Sequence, residues 1–114
     1  MIPPIYFNVE QARNQLLNEG KVYTIRYARK TGETIARHGS YYKFKILGKV
    51  RITEVMWLEL DSEYKLQGTK VDLQKYVDQS GFKTVDDWLA EIKKQENIFL
   101  VDSPVILYLV EALK

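Results

Sequence analysis

Tyr41-Tyr42-Lys43-Phe44-Lys45-Ile46-Leu47-Gly48-Lys49-Val50-Arg51-Ile52-Thr53 carries the cleanest two-residue alternation in the chain. Tyr42, Phe44, Ile46, Val50 and Ile52 share one parity, and Lys43, Lys45, Lys49 and Arg51 share the other. That pattern belongs to a strand with one face on a core and one in water, because successive side chains point to opposite faces. It predicts Tyr42 and Phe44 buried and Tyr41 exposed. Gly48 has no side chain to pack and marks a bulge or bend. Val55 to Leu60 continues as sheet.

Upstream, Val22 to Ala28 is rich in β-branched and aromatic residues and reads as a second strand. Tyr23, Ile25 and Tyr27 fall on one face, and Val22, Thr24, Arg26 and Ala28 on the other. Arg29-Lys30-Thr31-Gly32 is a turn, Glu33 to Arg37 a short strand, and His38-Gly39-Ser40 another turn. Before these strands, Asn8-Val9-Glu10-Gln11 predicts a helix over 9–19, with Asn8 capping the free amides and Gln11 reaching back. Val9, Ala12, Leu16 and Leu17 form its apolar side, and Gly20 supplies the left-handed stop.

Downstream, Val71, Leu73, Tyr76 and Val77 predict a helix over 69–80, with Gly81 ending it and Phe82 folding back on the core. Thr84-Val85-Asp86-Asp87 opens the next helix, where Val85, Trp88, Leu89 and Ile92 recur at helical spacing and place Trp88 in the core. The register of Trp57, between Met56 and Leu58, leaves its exposure open. Ile98 to Val101 reads as a strand. Ser103-Pro104 can open a helix, yet Val105, Ile106, Tyr108 and Val110 favour a strand over Val105 to Leu113. One helix, several strands, two helices and a final strand are not an alternating β-α pattern. The expectation is an α+β fold of one domain over 1–114: a small mixed or antiparallel β-barrel with about three helices.

The 114 residues suffice for one core. With no cysteine there is no disulfide, thiolate metal site or cysteine nucleophile, and a single histidine, His38, argues against a zinc site or a His-based triad. His38 beside Gly39 reads as a solvated turn residue. No cofactor or metal is expected. Met1-Ile2-Pro3-Pro4 lacks the features of a signal peptide, and Ile98 to Leu113 is interrupted by Asp102-Ser103-Pro104 and too short to span a bilayer. A cytoplasmic protein with no membrane partner is expected.

The formal charge of +2 conceals an asymmetry. Lys21, Arg26, Arg29, Lys30, Arg37, Lys43, Lys45, Lys49 and Arg51 are nine cations set against Glu33 alone, a net +8; the remaining eight basic and fourteen acidic residues give −6. A segment of this kind attracts polyanions, although its strands can also pair with the acidic helices or simply face solvent. Within it, Gly20-Lys21-Val22-Tyr23-Thr24-Ile25-Arg26 places a lysine, a hydroxyl and a guanidinium within six residues. These can bind phosphate, or a lysine can activate a threonine nucleophile. Alternation puts Thr24 and Arg26 on one face and Lys21 on the other, so convergence requires Lys21 to precede the regular strand. A lysine just after a helix also simply complements the helix dipole.

The chain resembles the ASCH family, a branch of the PUA-like small β-barrels. The resemblance covers most residues from about 9 onward. It rests on an ordered set: the helix ending Leu-Leu-Asn-Glu-Gly, Lys21-x-x-Thr24-x-Arg26, Lys30-Thr31-Gly32-Glu33, Lys49-Val50-Arg51-Ile52-Thr53-Glu54-Val55, Ser80-Gly81-Phe82 with Trp88, and Leu107-Tyr108-Leu109-Val110-Glu111. It implies a PUA-like barrel with a cleft between sheet and helices that binds RNA or a modified nucleoside. One bacterial branch deacylates acetylated cytidine with a Lys, a Thr and a Glu. Lys21 and Thr24 match the first two positions, while the third falls near Ser80, where only Asp78 or Gln79 is close. Gly20 also stands one residue nearer the lysine than the family's glycine.

Two functions follow as expectations. The first is an RNA-binding module using Lys21, Arg26, Arg29, Lys30, Arg37, Tyr41, Lys43, Lys45 and Arg51, with aromatic rings stacking bases and cations holding phosphates. The second is an amidohydrolase in which Lys21 is the base, Thr24 the nucleophile, Arg26 an anchor and Asp78 the substitute carboxylate. A basic adaptor surface for an acidic protein is the third reading.

Overall fold

The apolar run near the end of the chain is strand β5 (Val105–Ala112), and its composition follows from its position between β4 (Phe44–Leu58) and β2 (Lys21–Tyr27), antiparallel to both. Both its faces are covered: Ile106, Tyr108 and Val110 enter one core and Leu107 another. A strand buried on two sides reads as continuous apolar sequence, not as alternation. The computed structural model describes residues 2–27, 29–58, 73–96 and 105–113. The expected strand at Ile98 to Val101 and the end of the one at Leu60 lie outside the described residues.

With β1 (Ile5–Tyr6) and β3 (Gly32–Gly39), the sheet has the order β1-β3-β4-β5-β2, in which β1 and β3 are parallel and the other neighbours antiparallel. β1 and β2 therefore stand at opposite ends of the sheet. Arg26 Nη2 on β2 nevertheless donates to the Tyr6 carbonyl on β1 at 2.8 Å, so the sheet curls into a half-barrel whose two edges approach. The first core, with Ile5, Phe7, Val22, Ala36, Val50 and Ile52, is covered by Ala12 and Leu16 of helix α1 (Glu10–Glu19). The second lies on the opposite face, where Ile25, Leu58 and Leu107 meet Leu73, Val77 and the residues Val85 and Trp88 of helix α2 (Val85–Glu96).

Two bulges in the 15-residue β4 decide which of its side chains meet which core. Ala36 pairs with Gly48 but Arg37 with Ile46, so Leu47 is an extra residue; Glu54 pairs with Tyr108 but Met56 with Leu107, so Val55 is another. Each extra residue reverses the parity of everything beyond it. Val50 and Ile52 stay in the first core, Met56 and Leu58 cross to the second, and Trp57 turns out to 61% exposure. The bulge expected at Gly48 is present, with φ 137. Its effect corrects the expected burial of Tyr42 and Phe44: Tyr42 lies in the turn before β4 at 92% exposure, and Phe44, beyond the bulge, is 38% exposed. Tyr41 is exposed as expected.

The helix ends divide in the same way. Gly20 ends α1 with φ 78, its N–H donating to the Leu16 carbonyl at 2.9 Å. At the other end Val9 occupies the cap without a side-chain bond. Asn8 instead clamps the backbone of Gly39, accepting from its N–H at 2.7 Å and donating to its carbonyl at 2.8 Å. Of the helix expected over 69–80, residues 69–72 lie outside the described residues, Leu73 is α-helical, and a turn over 74–76 leads into a 3-10 helix at Val77–Gln79. Gly81 follows with φ 93, its backbone so close to α1 that a Cβ there stands 2.2 Å from the Gln11 carbonyl oxygen. Phe82 then folds back onto the second core, Thr84 accepts from the Asp87 N–H at 3.1 Å, and Trp88 is 2% exposed.

Candidate functional site

The curl leaves a cavity of about 190 Å³ where the β2 edge faces the end of β1, the start of α1, and α2. The sheet side supplies Tyr6, Phe7 and the run Tyr23 to Arg26; Asn8, Val9 and Ala12 come from around the α1 start, and Phe82, Trp88 and Glu91 form the opposite wall. Tyr23 is braced by Tyr76, with ring centroids 4.8 Å apart and planes at 58°. Aromatic and apolar walls with a few convergent polar groups are the usual composition of a ligand site.

The polar groups centre on Thr24 and Arg26, which share a face because they are two apart on a strand. Arg26 Nε donates to the Thr24 hydroxyl oxygen at 3.0 Å while its Nη2 holds the Tyr6 carbonyl, and the guanidinium lies 5.2 Å from the Phe7 ring centre. Thr24 is buried, and with its oxygen accepting from Arg26 its own hydroxyl proton is oriented away from that donor. Burial, and secondarily the charge of Arg26, lower the pKa of Arg29.

The structure separates the residues singled out from the sequence. Thr24 and Arg26 line the cavity, whereas Lys21 does not. Lys21 is the first residue of β2, on the opposite face, where it stands across from Glu111; Glu111 stands across from Arg51, and Arg51 bonds Glu33 at 3.3 Å. A row of alternating sign thus crosses four strands and accounts for two of the nine cations. Asp78 is exposed on the 3-10 turn and lies outside the lining. Among the described residues the carboxylate in the lining is Glu91 of α2. Its position three residues after Trp88 was the available signal, since residues i and i+3 share a helix side.

The remaining cations have different surroundings. Arg29 ties down the N-terminal segment, its Nη2 donating to the Pro3 carbonyl at 2.7 Å. Arg37 lies 3.8 Å over the Phe44 ring centre and donates to the Tyr6 hydroxyl at 3.3 Å. Lys30, Lys43 and Lys45 are exposed, and His38 is half-buried within β3, opposite Lys45, rather than in a turn. Among the described residues no cluster of three His, Asp or Glu could hold a metal, and no helix is long and apolar enough to cross a membrane. No family model, curated protein or solved structure matches this chain.

Proposed function

We propose that this chain is an RNA-binding module of the PUA-like, ASCH kind, which takes one base or modified nucleoside into the cavity between its two sheet edges. The observation that carries this reading is the meeting of a buried Thr24 hydroxyl and the Arg26 guanidinium with the rings of Tyr6, Phe7, Tyr23, Phe82 and Trp88 around one small cavity. At about 190 Å³ it is smaller than the roughly 300 Å³ at which drug-sized sites begin, which suits a single flat ring system better than a longer ligand. Single-stranded RNA is read in this manner, by splaying a base out, stacking it on aromatic rings and hydrogen-bonding its edge.

The test is fluorescence anisotropy with single-stranded RNA over a range of salt. The binding constant is expected to fall with salt, with a log–log slope of about −0.7 per phosphate contacted. Thr24→Val, which keeps shape and removes the hydroxyl, is expected to weaken binding roughly tenfold by leaving the ligand's polar edge unpaired. Absence of binding at low salt, or Thr24→Val binding like the parent, overturns the proposal.

The amidohydrolase reading draws on one observation, that Glu91 lines the same cavity as Thr24. Against it, no lysine lines the cavity among the described residues, and a guanidinium does not give up its proton. Deacetylation of acetylated cytidine that is lost in both Thr24→Val and Glu91→Gln would favour catalysis over binding alone.

A further inference from the structure

The β3–β4 hairpin projects an apolar and basic surface that the cavity does not use. Tyr41 and Tyr42, in the turn joining the two strands, are 73% and 92% exposed, with rings packed edge to face at 5.1 Å and 84°. Behind them Phe44 and Ile46 share a face of β4 and are 38% and 64% exposed. A cluster of bare rings and aliphatic side chains on a small protein marks a contact surface. From residue 34 to residue 53 the chain contains Arg37, Lys43, Lys45, Lys49 and Arg51 and no Asp or Glu. Apart from Arg51, none of these cations has a carboxylate partner among the described residues.

The hairpin is also joined to the cavity. Asn8 lines the cavity and clamps Gly39 at the base of the turn. Tyr6 lines it too, and its hydroxyl accepts from Arg37, which stacks on Phe44. Tyr6, Arg37, Phe44 and Ile46 fall on one sheet face, because Tyr6 pairs with Arg37, Arg37 with Ile46, and Phe44 lies two residues from Ile46. A continuous track therefore runs from the cavity mouth to the exposed tyrosines.

From this we infer that the hairpin is a docking arm for single-stranded nucleic acid, with Tyr41 and Tyr42 stacking unpaired bases and Lys43 and Lys45 meeting the flanking phosphates. The choice of partner rests on charge complementarity with a polyanion and on rings whose faces any base can stack on. It builds on the RNA reading of the cavity but concerns different residues, so the two can fail separately.

The test uses a labelled single strand of about ten nucleotides, within the range of site sizes for such surfaces. Tyr42→Ala is expected to lower affinity roughly tenfold, with Tyr42→Trp restoring it and Tyr42→Leu not, since stacking needs a π-face. Lys43→Ala with Lys45→Ala is expected to reduce the salt slope by about 0.7 per lysine. Tyr42 is a solvent-exposed turn residue, so these variants fold, which circular dichroism verifies. Loss of affinity in the hairpin variants with Thr24→Val unchanged supports the arm and sinks the cavity reading. The reverse result sinks the arm and keeps the cavity. Unchanged RNA affinity accompanied by loss of binding to phosphatidylserine vesicles would assign the hairpin to a membrane surface and overturn the inference.

Discussion

Arg26 on one edge of the sheet donates to the carbonyl of Tyr6 on the other edge, at 2.8 Å. Two strands that share no ladder are thereby tied by one side chain, which also holds Thr24. The candidate site and the curl of the sheet depend on the same guanidinium.

Arg26→Met is accordingly expected to lower stability by about 2 kcal/mol, in the range for hydrogen bonds made by a charged group. Arg26→Lys is expected to recover only part of this, because one ammonium does not reproduce a fork that contacts Thr24 and Tyr6 together. Urea denaturation of the three proteins measures both effects.

Gly81 and Gly20 both have positive φ but differ in surroundings. A Cβ at Gly20 meets nothing within 4 Å, so Gly20→Ala is expected to cost about 1 kcal/mol of backbone strain. At Gly81 it stands 2.2 Å from the backbone of Gln11, and Gly81→Ala is expected to cost more than about 3 kcal/mol or prevent folding, since backbone cannot swing aside. Thermal unfolding of the two variants should rank them in that order by a wide margin.

The Tyr108 hydroxyl accepts from the Arg29 N–H at 2.9 Å, and burial raises its pKa. In the unfolded chain the phenol ionises near its ordinary value of about 10, while the folded protein holds its proton to higher pH. The unfolded state therefore binds fewer protons above that point, and stability falls as pH rises beyond about 10. Tyr108→Phe is expected to be less stable at neutral pH by about 1–2 kcal/mol, through the unpaired Arg29 amide, and to show a shallower decline in alkali. Denaturation midpoints between neutral pH and strong alkali check the sign.

Trp88 is 2% exposed and Trp57 61%. Iodide is expected to quench Trp57→Phe, which retains only Trp88, far less than Trp88→Phe. Trp88→Ala is expected to cost about 3–5 kcal/mol, as for other large buried rings, and to open the cavity wall.

Elements that depend on neighbours a few residues away were legible in the order of the residues. These are α1 with its Gly20 stop, the Thr84 start of α2 with Trp88 inside, the strand character of β2 and β5, and the break in the β4 pattern at Gly48. Each is set by local backbone preference or by a periodicity read within one element. The rest depends on contacts between segments distant in the chain. Alternation within β4 cannot show that Leu47 and Val55 are extra residues, because a bulge is defined by the partner strand, and its parity change is what leaves Phe44 bare and carries Met56 to the other core. Asn8 has the chemistry of a helix cap and the reach to bond Gly39, and only the approach of β1 to β3 selects the second. Thr24 and Arg26 were legible as a pair at i and i+2, but which carboxylate accompanies them was not. Glu91, not Asp78 or Lys21, lines their cavity because the sheet curls until its edges meet under α2, and curvature is a sum over five strands that no single segment encodes.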